Sequence, residues 1–194
     1  EISVVDNLIY KQKFKHKNKV NFIKSNFVSL LKMRKVVNTH DYVVFLAGLV
    51  GDPVTKKYPK LSKKINYYDT KAFIKYILNQ NIKKFFFIST CSNYGLLSSK
   101  KKAKENETLK PLSLYAKEKV AIEKYILGFK FKTKVEVIIL RFATAFGVSD
   151  RMRFDLTINE FTRDLLFFKK LKVYDADTWR PYCHVNDFAK TIEK

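Results

Sequence analysis

The sequence is poor in glycine, proline and cysteine, with five, four and two of these among 194 residues. It also lacks long hydrophobic runs and is short of acidic side chains, and each shortage narrows the field. Cys91 and Cys183 alone cannot build a disulfide framework, so a reducing, cytoplasmic setting is expected. No apolar stretch approaches the roughly 20 residues needed to span a bilayer. The chain opens at Glu1 with a strand-like segment instead of a basic region followed by an apolar one, so no signal peptide is expected. His16, His40 and His184 are scattered and the cysteines lie far apart, which leaves no zinc spacing and no expected metal. His16 and His40 read as surface residues.

Acidic residues number 18 against 39 lysines and arginines, a formal net charge of +21. A field of that sign attracts nucleic acid, anionic membrane or phosphorylated ligands. Arginine, however, occupies only positions 34, 141, 151, 153, 163 and 180, and the lysines are spread along the whole chain. Abundant Lys, Asn, Ile, Phe and Tyr beside scarce Gly and Pro is the output of an AT-rich coding sequence. Nothing matches the known DNA- or RNA-binding modules, so neither a nucleic-acid nor a membrane partner is expected. The hydrophobic share of 46% is that of an ordinary folded protein.

Short apolar or aromatic runs alternate with helical stretches, the pattern of βαβ units around a parallel sheet. Strands are expected over Ile2–Asp6, Val20–Ile23, Tyr42–Ala47, Phe85–Ser89 and Val135–Phe142, with a short one at Leu171–Tyr174. Helices are expected over Phe27–Val37, Asn66–Asn79, Tyr115–Leu127, Leu156–Phe168 and Asp187–Glu193, the last N-capped by Asp187. The polar loop Leu96–Pro111 reads as exposed. Gly48, Gly51, Gly95 and Gly147 follow strand-like runs, where βα turns need backbone freedom. The fold class is therefore α/β, a doubly wound, Rossmann-like parallel sheet. Such a fold places an acidic residue on its second strand, about 20 residues after a glycine-rich turn. Asp6 ends the first strand here with no such turn before it. The chain is thus expected to begin at the second strand, without the first strand, phosphate loop and first helix. Composition shifts after Gly147, dividing a dinucleotide-binding domain (residues 1–148) from the start of a substrate-binding region with a return segment (residues 149–194).

Tyr115 and Lys119 stand four residues apart on one face of a predicted helix. A free tyrosine, with a pKa near 10, is a poor base at neutral pH. An ammonium group one turn away, together with a cationic nicotinamide ring, favours the phenolate. Such a phenolate takes a proton from a sugar hydroxyl as hydride leaves the same carbon. In a chain rich in Tyr and Lys this spacing alone is weak, and its context carries the argument. The strand ending in Ser89-Thr90-Cys91-Ser92-Asn93-Tyr94-Gly95 brings a polar cluster to a carboxyl end, where open α/β sheets bind ligands. Thr90 lies 25 residues before Tyr115 and offers a hydroxyl to the same substrate oxygen. The small-residue turn after Val43–Leu46 would let a dinucleotide approach the backbone. Cys91 has no histidine near it in sequence and reads as a small packed residue.

These motifs, in this order, resemble the extended short-chain dehydrogenases, the NAD-dependent epimerase/dehydratase family. Val4-Val5-Asp6-Asn7 looks like the second-strand end whose Asp holds the adenosine ribose. Leu46-Ala47-Gly48 stands where the family has Leu-Ala-Ala beside the cofactor, and Asn66 begins a helix as the family's Asn does. Ser89, Thr90 and Tyr94-Gly95 match the strand-end motif, and Pro111, Ser113, Tyr115 and Lys119 reproduce the P-x-S-x-Y-x-x-x-K block. Leu140-Arg141-Phe142 through Gly147 places Phe142 and Thr144 near nicotinamide and substrate. Trp179 through Asp187 resembles the R-x-x-x-H-V-x-D block, whose arginine grips the substrate diphosphate; here that is Arg180, with Tyr182 following, Trp179 packed nearby and His184 supporting the strand. The resemblance implies NAD as cofactor, a nucleotide-sugar substrate, a homodimer through the helices at 66–79 and 115–127, and Thr90, Tyr115 and Lys119 as catalytic residues. It implies cofactor contacts from Asp6, Asn7, Asn26, Leu46, Ala47, Gly48, Asn66, Ser89, Tyr115, Lys119 and Phe142. Substrate contacts are implied for Ser92, Thr144, Arg180 and Tyr182. The segment Arg151-Met152-Arg153-Phe154-Asp155-Leu156, followed by Asn159, resembles a subgroup of such enzymes and implies a contact from Arg151, Arg153 or Asn159, with a solvated turn and helix start as the alternative.

The departures bear on the reaction. The family's Gly-Asp after the third strand reads Ser25-Asn26, and the glycine-rich turn is absent. Dehydratases carry Asp-Glu directly after the Thr, whereas this chain has Cys91-Ser92, and a hydroxyl does not serve as a carboxylate near neutral pH. Epimerisation needs only hydride removal, a change of face and hydride return, so an epimerase is the expectation. A dehydratase or reductase on the same substrates is the alternative, and a non-catalytic cofactor- or nucleic-acid-binding relative is the rival from another class.

Overall fold

A computed structural model describes residues 1–11, 20–97, 102–129 and 132–194. His16 and part of the 96–111 loop lie outside the described residues. The hydrophobic runs form β1 (Ser3–Asp6), β2 (Asn21–Lys24), β3 (Tyr42–Phe45), β4 (Lys84–Thr90), β5 (Glu136–Phe142), β6 (Thr144–Phe146) and β7 (Tyr182–His184). Among the described residues every strand pair is parallel, in three ladders: β1 with β2, β3-β4-β5, and β6 with β7. In the middle ladder β4 runs from Lys84 opposite Glu136 to Thr90 opposite Phe142. Its Phe85, Phe86 and Phe87 are all buried, as a strand covered on both faces requires.

The helices are α1 (Leu30–Val37), α2 (Asp52–Lys57), α3 (Pro59–Ser62), α4 (Thr70–Ile77), α5 (Leu114–Leu127), α6 (Thr157–Phe168) and α7 (Val185–Glu193). The core forms where α1, α4 and α5 cover the middle ladder: Met33, Ile74, Ile77, Ile122 and Ile126 close over Phe45, Phe85 and Phe87. The Phe45 ring stacks on Phe73 at 5.1 Å and on Phe87 at 6.3 Å. Each such ring removes a large apolar area from water and anchors the layers.

Four local expectations need correction. Leu171–Tyr174 forms no strand; the short ladder is made instead by β6 and β7, whose pairing across about 40 residues no local pattern announces. Asn66 does not begin a helix. It lies inside a π-helical turn, Lys63–Asp69, that joins α3 to α4 without a break. The cap of α7 is His184, whose Nδ1 accepts from the Asn186 amide at 3.2 Å; Asp187 sits within the first turn. His40 is half-buried instead of exposed, its Nδ1 2.8 Å from the Val36 carbonyl and its Nε2 buried without a partner.

Candidate active site

β4 carries Thr90 to the carboxyl edge of the middle ladder, and the chain turns at once into a single 3-10 turn, Cys91–Tyr94. The Thr90 hydroxyl caps it by accepting from the Ser92 amide at 3.2 Å. Gly95 closes it at φ +70°, and a Cβ there would stand 2.1 Å from the Lys110 carbonyl oxygen. The loop from Lys110 then leads to α5, capped by the Ser113 hydroxyl, which accepts from the Ala116 amide at 3.2 Å. That cap places Tyr115 in the first helical turn and Lys119 one turn later. Lys119 is 9% exposed and donates from Nζ to the Ile88 carbonyl at 2.7 Å, with the Phe87 and Tyr115 ring centroids at 4.7 and 5.8 Å.

Burial governs both groups. It pushes Lys119 down to about 8, with Glu123 and Glu118 pulling the other way. It pushes the Tyr115 phenol up to about 12, against the pull of Arg153 and with Asp52 and Cys91 adding to the rise. Desolvation thus outweighs the pull of Arg153 on the phenol. Burial likewise raises the Cys91 thiol, with Arg180 opposing, so the structure brings Arg180 towards the turn after Thr90.

Arg153 approaches from the polar segment after β6. Its Nη2 would lie 2.4 Å from a Cβ on Gly51, the residue that precedes α2. It pairs with Asp155 at 2.5 Å, holding that carboxyl below its usual range, and Asn159 donates to the Arg153 carbonyl at 3.1 Å. Asn159 thus braces Arg153. Arg151 stacks on the Tyr10 ring with its guanidinium carbon 3.5 Å from the centroid.

Two further expected residues face inward. The Ser89 hydroxyl, 4% exposed, donates to Glu123 Oε1. The buried Asn66 amide accepts from the Leu49 amide at 2.8 Å and donates to the Leu49 carbonyl at 3.0 Å and to Glu118 Oε2 at 2.9 Å. Both side chains brace the turns beside them, since their polar atoms are spent on other protein groups. Glu118, Glu123, Asn93 and Arg141 were not singled out from sequence. Only Arg141 carried a signal, as a charged side chain between Leu140 and Phe142 in an apolar strand, which implies a polar partner.

A cleft of roughly 140 Å³ opens beyond the carboxyl ends of β1, β2 and β3, lined by Asp6, Asn7, Asn26, Leu46, Ala47 and Gly48 and also by Ile65 and Tyr10. Asp6 and Asn7 shape its rim by accepting from the Leu8 and Ile9 amides at 2.6 and 3.1 Å, and Asn26 accepts from Val28 at 3.2 Å. Phe142, at the end of β5, stacks on Phe188 of α7 at 4.0 Å. Thr144 opens β6 opposite Tyr182, its amide donating to the Pro181 carbonyl at 3.0 Å. Arg180 and Tyr182 line a separate open loop with Trp179, which is 86% exposed and so does not pack against the arginine as expected. Ser92 sits half-buried in the 3-10 turn. Among the described residues no cluster could hold a metal ion, and no helix is long and apolar enough to cross a membrane.

The fold has solved counterparts. A UDP-N-acetylglucosamine 4-epimerase from Methanobrevibacter ruminantium M1, in complex with UDP-N-acetylmuramic acid, is 25% identical with a TM-score of 0.83 over 97% of this chain and 62% of its own. DesIV, a dTDP-glucose 4,6-dehydratase from Streptomyces venezuelae solved as a double mutant with NAD, is 18% identical with a TM-score of 0.84 over 99% of this chain and 61% of its own. In sequence, the chain is 33% identical over 113 residues to a protein of Bacillus subtilis (strain 168) named "uncharacterized UDP-glucose epimerase YtcB", covering 58% of this chain and 34% of that protein. The chain therefore spans between a third and two thirds of these relatives' length. The model of the NAD dependent epimerase/dehydratase family matches residues 1–194, and the chain belongs to that family.

Proposed function

We propose that this chain is the cofactor-facing part of a nucleotide-sugar 4-epimerase, with Tyr115 as the group that exchanges a proton with the sugar hydroxyl. The observation that supports the reading is the bond from Lys119 Nζ to the Ile88 carbonyl with the Tyr115 ring beside it, which seats the first turns of α5 against the strand that ends in Thr90. Bound NAD would supply a hydride acceptor. The cleft at residues 6–7, 25–27 and 46–48 fits the adenosine end, with Asp6 facing the ribose and disfavouring a 2′-phosphate. Residues 1–194 contain no glycine-rich phosphate turn, so these side chains account for adenosine and nicotinamide contacts only. Residues 1–148 hold the cofactor and residues 149–194 begin the substrate side.

The residues divide the chemistry as follows. The Tyr115 hydroxyl accepts or returns the proton, and the Thr90 hydroxyl orients the same substrate oxygen. Lys119 supplies a cation that the buried site favours only weakly, so its charge responds to neighbours. Arg153, beside Gly51, opposes the desolvation of the phenol. Arg180, drawn towards Cys91, suits a diphosphate. The absence of a carboxylate at positions 91 and 92 favours epimerisation over elimination of water. A dehydratase remains the second reading because enzymes of that type share the fold.

In the full-length protein, Tyr115→Phe is expected to lower turnover by about 10²–10⁴-fold with little change in nucleotide-sugar affinity. Product analysis separates the readings: an epimer supports the proposal, loss of water makes the enzyme a dehydratase, and net consumption of NADH makes it a reductase. Undiminished turnover in the variant would remove Tyr115 from the mechanism.

A further inference from the structure

The 3-10 turn that follows Thr90 is held from beneath by Glu123 of α5, a carboxylate with 1% of its surface exposed. Its Oε1 accepts from the hydroxyl of Ser89, the residue before Thr90, and from Nδ2 of Asn93, three residues after it, at 2.8 Å. Asn93 Nδ2 also donates to the Ser89 hydroxyl at 3.0 Å, which closes a triangle across the base of the turn. Arg141 completes the grip. In the β4–β5 register it stands opposite Ser89, so both side chains leave the sheet on the face that α5 covers. Its Nε and Nη2 donate to Glu123 Oε2 at 3.1 and 2.8 Å. Its Nη1 donates to the Tyr94 hydroxyl and the Glu105 carbonyl, both at 3.0 Å. One ion pair thus bonds the residue before Thr90 and the last two residues of the turn, and Thr90, Cys91 and Ser92 are displayed between those points. A buried ion pair is a poor way to gain stability, because its desolvation consumes most of the attraction. A guanidinium fork on a carboxylate does fix direction as well as distance.

We propose that Glu123 and Arg141 are a pair of positioning residues for the turn after β4, setting where the Thr90 hydroxyl stands against the substrate oxygen. The proposal rests on the reading of Thr90 given above. Both side chains act through Ser89, Asn93 and Tyr94, and neither is required to touch the substrate. The Thr90 hydroxyl accepts from the Ser92 amide at 3.2 Å, so its direction follows the shape of the turn. A hydroxyl held in this way keeps its own proton to donate. Misplacing such a group by about 1 Å is enough to cost about 10²-fold in rate. The pair is suited to that precision because each partner has several bonds to make at once. A glutamine at 123 loses the charge that the fork answers, and a lysine at 141 keeps a charge but not the planar set of donors that reaches Glu123 and Tyr94 together.

The test uses the full-length protein with Glu123→Gln, with Arg141→Lys and with Tyr94→Phe, which removes a single bond of the network. Turnover should fall by about 10–10²-fold in the first two and by less in the third, with KM for the nucleotide-sugar little changed. Thr90→Val supplies the coupling. If the pair acts through Thr90, adding Glu123→Gln to Thr90→Val should cost far less than the product of the two single losses. A second readout needs neither substrate nor cofactor. Cys91 lies in the turn and Cys183 on β7, so alkylation of the two, followed by mass spectrometry, compares the turn with another element of the same molecule. Relative to Cys183, Cys91 should react about tenfold faster in Glu123→Gln and Arg141→Lys than in the wild type, and Tyr94→Phe should move the same way by a smaller factor. A wild-type ratio in the folded variants, or multiplicative losses in the double variant, would overturn the proposal. Should Glu123→Gln not fold, Arg141→Lys and Tyr94→Phe decide, each alone and combined with Thr90→Val. Failure of the catalytic reading shows elsewhere, as full turnover in Tyr115→Phe or Thr90→Val whatever the reactivity of Cys91.

Discussion

Lys119 holds its Nζ 2.7 Å from the Ile88 carbonyl while exposing only 9% of its surface, and these two facts set its response to pH. The ordinary lysine value of 10.5 falls to about 8 in the folded chain. Between those pH values the unfolded chain binds the extra proton, so stability should rise as pH rises from about 8 towards 10.5 and be lowest below 8. The rise is on the order of 3 kcal/mol at most. Lys119→Met should abolish it, which urea unfolding of both proteins at pH 7.5 and pH 10 would measure. A wild-type-minus-variant difference that stays flat with pH would show that the lysine is not desolvated in this way. Tyr115 acts in the opposite sense: with its value raised from 10.0 to about 12, the folded chain keeps a proton that the unfolded chain loses, so stability falls as pH rises above 10. The sequence singled out Thr90, Tyr115 and Lys119 because a strand end and a helical spacing are local features. The desolvation of the phenol was not legible there, because it depends on how much protein closes over a group.

The turn after β4 is the element on which the site depends. Its geometry needs Gly95 at φ +70°, with the Lys110 carbonyl against the missing side chain. Gly95→Ala should cost about 1–3 kcal/mol from backbone conformation alone, and more from the close contact. Chemical denaturation measures that cost, and an unchanged midpoint would mean that the turn is not held as described. Strand and helix cores were legible element by element: Phe85–Ser89 and Tyr115–Leu127 each lie within one residue or two of β4 and α5. Their reasons are local, an uninterrupted apolar run in one case and a Ser113 cap in the other. The elements that went unseen, α2, α3, the π-helical turn and the β6–β7 pair, have weak patterns and are stabilised by partners elsewhere. Asn66 illustrates the point, since its place in a wide helical turn is set by the Leu49 backbone 17 residues earlier.

Over the whole molecule, the +21 charge and the three parallel ladders stand out. Charge spread over many lysines gives a field without a recognition surface. Any DNA binding should therefore be sequence-independent and should disappear by about 0.2 M salt, which fluorescence anisotropy on two unrelated duplexes would check. Tight, sequence-selective binding that survives that salt would favour the nucleic-acid reading instead. The Asp6 cleft and the Thr90 turn both lie at carboxyl ends of parallel strands, the position at which this architecture gathers ligands.

Residue order and local periodicity were enough to determine the alternation of strands and helices, the parallel α/β class and the Tyr115–Lys119 pair, because each of these is written within a few neighbouring residues. The tertiary structure alone decided the proton affinities of that pair, the clamp between Glu123 and Arg141 and the approach of Arg153 to Gly51. Those depend on burial and on contacts between segments 18 to about 100 residues apart, which no local pattern encodes.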